Sequence, residues 1–165
     1  GITYLRLNTD TQQHAYVLKS GETNPPDFFV KAFAQGNQVQ DVLLNNFKTG
    51  RTGNEILQQS LTEAQNIGLK PTIYTHPIGY HGHAAGPTIG MWDQQEGVPI
   101  AGDYPLYPHT AYSIELNNAS FIKEWNKEIR IMLEEDAYFD GDAVRYIDGR
   151  QTELMTIPRI LTPNH

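Results

Sequence analysis

The 165-residue sequence contains no cysteine, which excludes disulfides and thiolate metal sites and leaves His, Asp and Glu as candidate metal ligands. Such oxygen and imidazole donors favour hard or borderline ions: manganese, cobalt, iron or zinc. The same absence leaves the compartment open, because a reducing cytosol and an oxidising periplasm both tolerate a chain without thiols. Positive charge is also scarce, with 12 Lys+Arg against 19 Asp+Glu and a formal net charge of -7. Phosphate backbones would be repelled rather than neutralised, so nucleic acid is a poor partner. No apolar run approaches the roughly 20 residues of a membrane span, and the amino terminus lacks a basic stretch followed by an apolar core. A soluble segment of one domain is expected. The first residues already read as the middle of a strand, so the chain is expected to be a fragment.

What is present reads as an α+β pattern. Residues 2–8 and 14–18 are rich in β-branched and aromatic side chains on either side of a polar stretch, which predicts two strands paired with each other. After the breaker cluster Gly21 to Pro26, apolar residues recur at helical spacing from Phe28 to Phe47, predicting a helix over about 26–46. Asn54 is the candidate cap of a second helix that carries Ile56, Leu57, Leu61 and Ala64 and ends at Gly68. Residues 70–74 return as a short strand. Glycines and prolines recur from Ala84 to Pro108, predicting a long irregular loop, a feature that usually carries function. Strand character resumes at 110–116, 121–125, 128–133 and 144–147 before a polar tail.

The densest chemistry is Thr75-His76-Pro77-Ile78-Gly79-Tyr80-His81-Gly82-His83, where three of the six histidines fall within eight residues. Closely spaced neutral imidazoles ligate metals or move protons, and the glycines beside them let backbone or substrate approach. A metal site also needs carboxylates. Asp10 follows the first strand, Glu115 interrupts the alternation Tyr112-Ser113-Ile114-Glu115-Leu116, and Glu134 ends the strand Ile129 to Leu133. Each alone reads as an ordinary exposed charge. Together with the histidines they read as a ligand set, because an inward carboxylate is costly unless paired or metal-bound.

The order and spacing of these residues resemble the pita-bread metallopeptidases, the family of methionine aminopeptidase, aminopeptidase P, prolidase and creatinase. In that family a ligand His in a G-H-G-x-G segment precedes a catalytic His by seven residues, as His76 precedes His83 here. Downstream come a strand ending in a ligand Glu and a second strand with another; Tyr112-Ser113-Ile114-Glu115 and Met132-Leu133-Glu134-Glu135-Asp136 are similar to these. Thr9-Asp10-Thr11 is similar to the second of the family's two hairpin aspartates, so the first would fall two positions before Gly1. His83 is followed by Ala84-Ala85-Gly86-Pro87 in place of the common acid-then-Pro. Glu115 is followed by Leu116-Asn117-Asn118 in place of Pro-Gly, and both departures bear on substrate preference.

The resemblance implies a partial pita-bread fold, a curved and mostly antiparallel sheet covered by helices. Residues 1–165 would be the C-terminal part of the catalytic domain, beginning just after the first ligand Asp. It implies two divalent ions, manganese, cobalt, zinc or iron, with Asp10 and Glu134 bridging them and His76 and Glu115 completing one shell. It further implies His83 as catalytic hydrogen-bond donor and His81 as a residue beside the ligands or lining the substrate site. The implied activity is hydrolysis of X-Pro bonds at peptide N-termini or in dipeptides, with the isolated fragment inactive. The partners implied are a peptide substrate and the upstream part of the same polypeptide; a homodimer is left open. A creatinase-like, metal-independent hydrolase and a pita-bread domain kept for binding alone are the alternatives.

Overall fold

The prolines Pro25 and Pro26 fix an extended approach to the first helix, α1 (Asp27–Asn45), and Asp27 places a negative charge in its first turn, where the helix dipole favours it. A computed structural model describes residues 1–158; the end of the expected polar tail, residues 159–165, lies outside the described residues. α1 buries Ala32, Phe33, Val39 and Leu43. At Gly36 a Cβ would stand 3.0 Å from side-chain atoms of Ile131 and Leu133, so the helix rides close on the sheet beneath. The second helix, α2 (Gly53–Asn66), starts two residues earlier than a cap at Asn54 would allow. Its cap is Thr52, whose side chain accepts the Glu55 N–H while the Glu55 carboxylate accepts the Thr52 N–H. Asn54 instead ties the helix start to the loop beyond, through Val98 and Asp103.

The first 17 residues correct the expected pairing of 2–8 with 14–18. Strands β1 (Ile2–Tyr4) and β2 (Leu7–Thr9) pair antiparallel with each other across a tight turn at Leu5 and Arg6, both at positive φ. Strand β3 (Ala15–Val17) pairs parallel with the last strand, β9 (Met155–Ile157), a partner too distant in sequence for a local pattern to reveal.

The main sheet is built on two 13-residue strands, β6 (Thr110–Ile122) and β7 (Lys127–Phe139), paired along their whole length. Residues 121–125, expected as a strand of their own, are the end of β6 and a short 3-10 turn, which Asn126 closes in the left-handed conformation. Strands β4 (Pro71–Ile73) and β5 (His76–Pro77) lie along the other edge of β6, and β8 (Val144–Tyr146) lies beside β7. In β4 and β5, Ile73 opposes Leu116 and His76 opposes Ser113, so the two are one bent strand in a single register.

Side chains alternate across this sheet. Tyr112, Ile114 and Leu116 of β6, with Leu133, Ala137 and Phe139 of β7, join α1 and α2 in the core. The opposite face is left to polar residues, and the chemistry lies there.

Candidate metal centre

The register places polar side chains in two rows on the face away from the helices. Glu115 lies opposite Glu134, with the main chain of Tyr74 beside Glu115 through a 3.0 Å bond from Tyr74 N–H to the Glu115 carbonyl. In the next row His76 lies opposite Ser113, which lies opposite Asp136. Residues directly opposite in an antiparallel pair share a face, so histidine, glutamates and serine converge without any loop having to be trapped.

His76 is 2 % exposed. Its Nδ1 is 3.1 Å from the Pro77 carbonyl, which points Nε2 inward. Nε2 has no hydrogen-bond partner and sits 3.5 Å from Glu115 Oε2. Burial opposes the charged imidazole, but the Glu115 carboxylate, the Pro77 carbonyl and the Asp10 charge outweigh it and hold the His76 pKa above its ordinary value. Burial first, then the charges of Glu115 and Asp10, together push the Glu134 carboxyl up to about 7; its partner is Ser113, whose Oγ donates to Oε1 at 3.1 Å. Among the described residues no Lys or Arg pairs with Glu115 or Glu134, and the amino group of Gly1 lies 3.7 Å from Asp10.

Two groups of ligand atoms come together. His76, Glu115 and Glu134 each offer one atom within 4.8 Å of the others, and so do Asp10, His76 and His83. His76 belongs to both. All five residues expected as ligands or catalyst therefore meet in one place, although Asp10 groups with the two imidazoles rather than with Glu134. The donor set suits a divalent ion: carboxylates that repel one another when ionised, and a buried imidazole nitrogen without a partner, aimed at them.

The imidazole of His83 is exposed and stacks on His76 with ring centroids 4.1 Å apart. Tyr74, unread from sequence, completes the aromatic side of the site at 5.3 Å from His76 and 6.0 Å from His83. Burial raises its pKa, and the Glu115, Asp10 and Glu134 charges add to the rise. Its position two residues before His76 on the same bent strand was the available signal. His81 stands apart, exposed and edge-on to Tyr80, lining a cleft with Arg6 and Asn8.

The long loop after His83 is fastened to the histidine-bearing strand. Thr75 and Ile89 exchange backbone hydrogen bonds of 2.9 and 2.8 Å. The Gln95 amide acts as a strand edge, accepting from Ile73 N–H at 2.9 Å and donating to Ile73 O at 2.8 Å. A Cβ at Gly90 would stand 2.2 Å from the Ile73 carbonyl, and its φ of 73° is one that glycine adopts freely. This fastening sets Trp92 edge-on to Tyr74 at 5.7 Å, at the rim of the site. Among the described residues no helix is long and apolar enough to cross a membrane.

No protein family profile matches the sequence, and no curated protein matches it. Solved structures do match. The chain is similar to an X-Pro aminopeptidase from Thermotoga maritima, with a TM-score of 0.68 and 17% identity over 94% of this chain and 39% of that one. It is similar to a Xaa-Pro dipeptidase from Bacillus anthracis, with a TM-score of 0.64 and 19% identity over 93% of this chain and 39% of that one. It is also similar to the N-terminal domain of the FACT complex subunit SPT16 from Cicer arietinum, with a TM-score of 0.64 and 11% identity over 92% of this chain and 34% of that one. The chain thus spans about two fifths of the length of these two peptidases, and over that span its two helices and mostly antiparallel sheet have the pita-bread fold.

Proposed function

We propose that this chain forms the C-terminal part of the catalytic domain of a metal-dependent peptidase that hydrolyses X-Pro bonds at peptide N-termini or in dipeptides. The observation that carries the reading is the convergence of Asp10, His76, His83, Glu115 and Glu134 on one face of a sheet whose fold matches X-Pro peptidases. His76, Glu115 and Glu134 would hold one divalent ion, manganese, cobalt, zinc or iron. Asp10 and Glu134 would reach toward a second, with a further carboxylate from upstream sequence.

Bound ions would supply Lewis acidity toward the scissile carbonyl and acidify a water. The chain's own groups do the rest. Ser113 holds one Glu134 oxygen, leaving the other free to face the ligands. His83, exposed and stacked on His76, would donate a hydrogen bond to charge developing on the substrate oxygen or on the leaving nitrogen. Trp92 and Tyr74 wall one side with aromatic surface.

A polypeptide that includes the upstream part should cleave Ala-Pro or Gly-Pro substrates with added Mn(II), Co(II) or Zn(II), and residues 1–165 alone should not turn over. No cleavage of any peptide under those conditions would sink the reading. Metal-independent hydrolysis of a small guanidino compound would favour the creatinase-like alternative. A second reading, a pita-bread domain used for binding alone, draws on the similarity to a domain of a FACT complex subunit. Metal bound without turnover by the longer polypeptide would favour it.

A further inference from the structure

Residues 8–12 run past the site, from the end of β2 to the bridge at Gln12, held at alternate N–H groups. Asn8 N–H donates to the Gly79 carbonyl at 2.8 Å, on the loop that carries the histidines. Gln12 N–H donates to the Glu134 carbonyl at 2.8 Å, on the strand that carries the second glutamate. Between them, Asp10 N–H meets no carbonyl. It donates to both side-chain oxygens of Asp136, at 3.1 and 3.3 Å.

The reason lies in how one edge of β7 is shared. Gln12 bridges Glu134 antiparallel, and continuing that register two residues along would bring Asp10 opposite Asp136. The Asp136 carbonyl is already occupied, because β8 claims the same edge from Ala137 onward and Ile147 N–H donates to that carbonyl at 2.9 Å. The incoming segment must leave the edge where β8 begins. Asp136 bridges the gap with its side chain, which shares a sheet face with Glu134 and lies in the row of His76 and Ser113.

We propose that Asp136 is a positioning residue for metal binding: its carboxylate, clasping the Asp10 main-chain N–H at the fork between residues 8–12 and β8, sets where the Asp10 carboxylate meets His76 and His83. This inference rests on the metal reading above. Asp136 itself is absent from both ligand groups, so its part is to hold the backbone of a ligand. Carboxylates are costly to bury without a donor, and an acid here supplies two acceptors where a strand partner would have supplied one.

The test uses the chain of residues 1–165 with Mn(II) alone as probe, measured by titration calorimetry, and amide exchange at Asp10 in the metal-free protein. D136A should weaken Mn(II) binding roughly 10- to 100-fold, the range for losing a residue that orients a ligand. It should also speed exchange of the Asp10 amide. D136N keeps an oxygen acceptor for the N–H while removing the charge, and should bind within about threefold of wild type and leave Asp10 protected. Wild-type binding that D136A leaves unchanged would overturn the inference while the metal reading stands, as would equal losses in D136A and D136N, which would assign the effect to charge. Wild type that binds no Mn(II) would sink the metal reading and this inference with it. Thermal melting of each variant identifies a loss due to unfolding, and if D136A fails to fold, D136S supplies a shorter acceptor for the same comparison.

Discussion

Glu115 and Glu134 lie directly opposite one another on adjacent strands, on the same face of the sheet, each with an oxygen within 4.8 Å of the other's and of a nitrogen of His76. Like charges in that position repel, and without a counter-ion they destabilise the strand pair. E115Q should therefore stabilise the metal-free chain at pH 8 by about 1 kcal/mol, read from urea unfolding. The same substitution should weaken Mn(II) binding by more than about tenfold, which corresponds to roughly 1.4 kcal/mol. A variant that lost stability without metal would mean that the pair is held by something other than an absent cation.

Protonation should act on the same pair. The Glu134 carboxyl sits at about 7 in the folded chain against an ordinary 4.5, so between those values the folded state binds more protons than the unfolded one. Stability is then fully present below 4.5 and is lost as pH rises through 7. His76, also raised, adds in the same direction, because its protonated form favours the folded state and is lost as pH rises. The metal-free chain should lose on the order of 2 kcal/mol between pH 4.5 and pH 8. E134Q should flatten most of this slope. Saturating Mn(II) should remove or reverse it, since the ion binds the ionised carboxylate and stabilises by mass action. Urea midpoints across pH, with and without Mn(II), measure both effects.

How much of this was legible in the sequence depends on the range of the interaction. The helices were readable because apolar spacing and breakers are local, and the Gly-rich histidine segment stood out because its three imidazoles are close in sequence. The pairing of β3 with β9 was not readable, since nothing within 14–18 encodes a parallel partner at 155–157. Thr52 as the cap was readable from Glu55 three residues on, and Asn54 competed because it too is a good capping residue. Tyr74, Ser113 and Asp136 join the site through the sheet register, which fixes cross-strand neighbours only once Ile73 is known to oppose Leu116 and Ser113 to oppose Asp136. A one-residue slip would have sent all of them to the other face.

The loop after His83 should depend on one side chain. Gln95 replaces a strand along Ile73, accepting its N–H and donating to its carbonyl, while also donating to Met91 O at 2.6 Å. Q95L keeps the bulk and removes every one of these bonds, at an expected cost of about 1–3 kcal/mol in urea unfolding. Trp92 should become more exposed, visible as a red shift in its emission, while the helices keep their far-ultraviolet signal. An unchanged emission maximum would mean that the Thr75–Ile89 pairing alone fixes the loop.

The three histidines should separate by role in a single set of titrations. His76 belongs to both groups of ligand atoms and has a buried, unpartnered Nε2, so H76A should weaken Mn(II) binding by more than about tenfold, the loss of at least 1.4 kcal/mol. His83 is exposed and held by stacking, as suits a hydrogen-bond donor to substrate. H83A should leave affinity within about threefold and, in a polypeptide that includes the upstream part, lower turnover by roughly 10²–10⁴. His81 faces the cleft of Arg6 and Asn8 and joins neither group, so H81A should leave metal affinity unchanged. If H81A weakened the ion as much as H76A, the ligand set would have to be redrawn around the loop. If H83A did so, the group of Asp10, His76 and His83 would itself be a binding site, with His83 as a ligand.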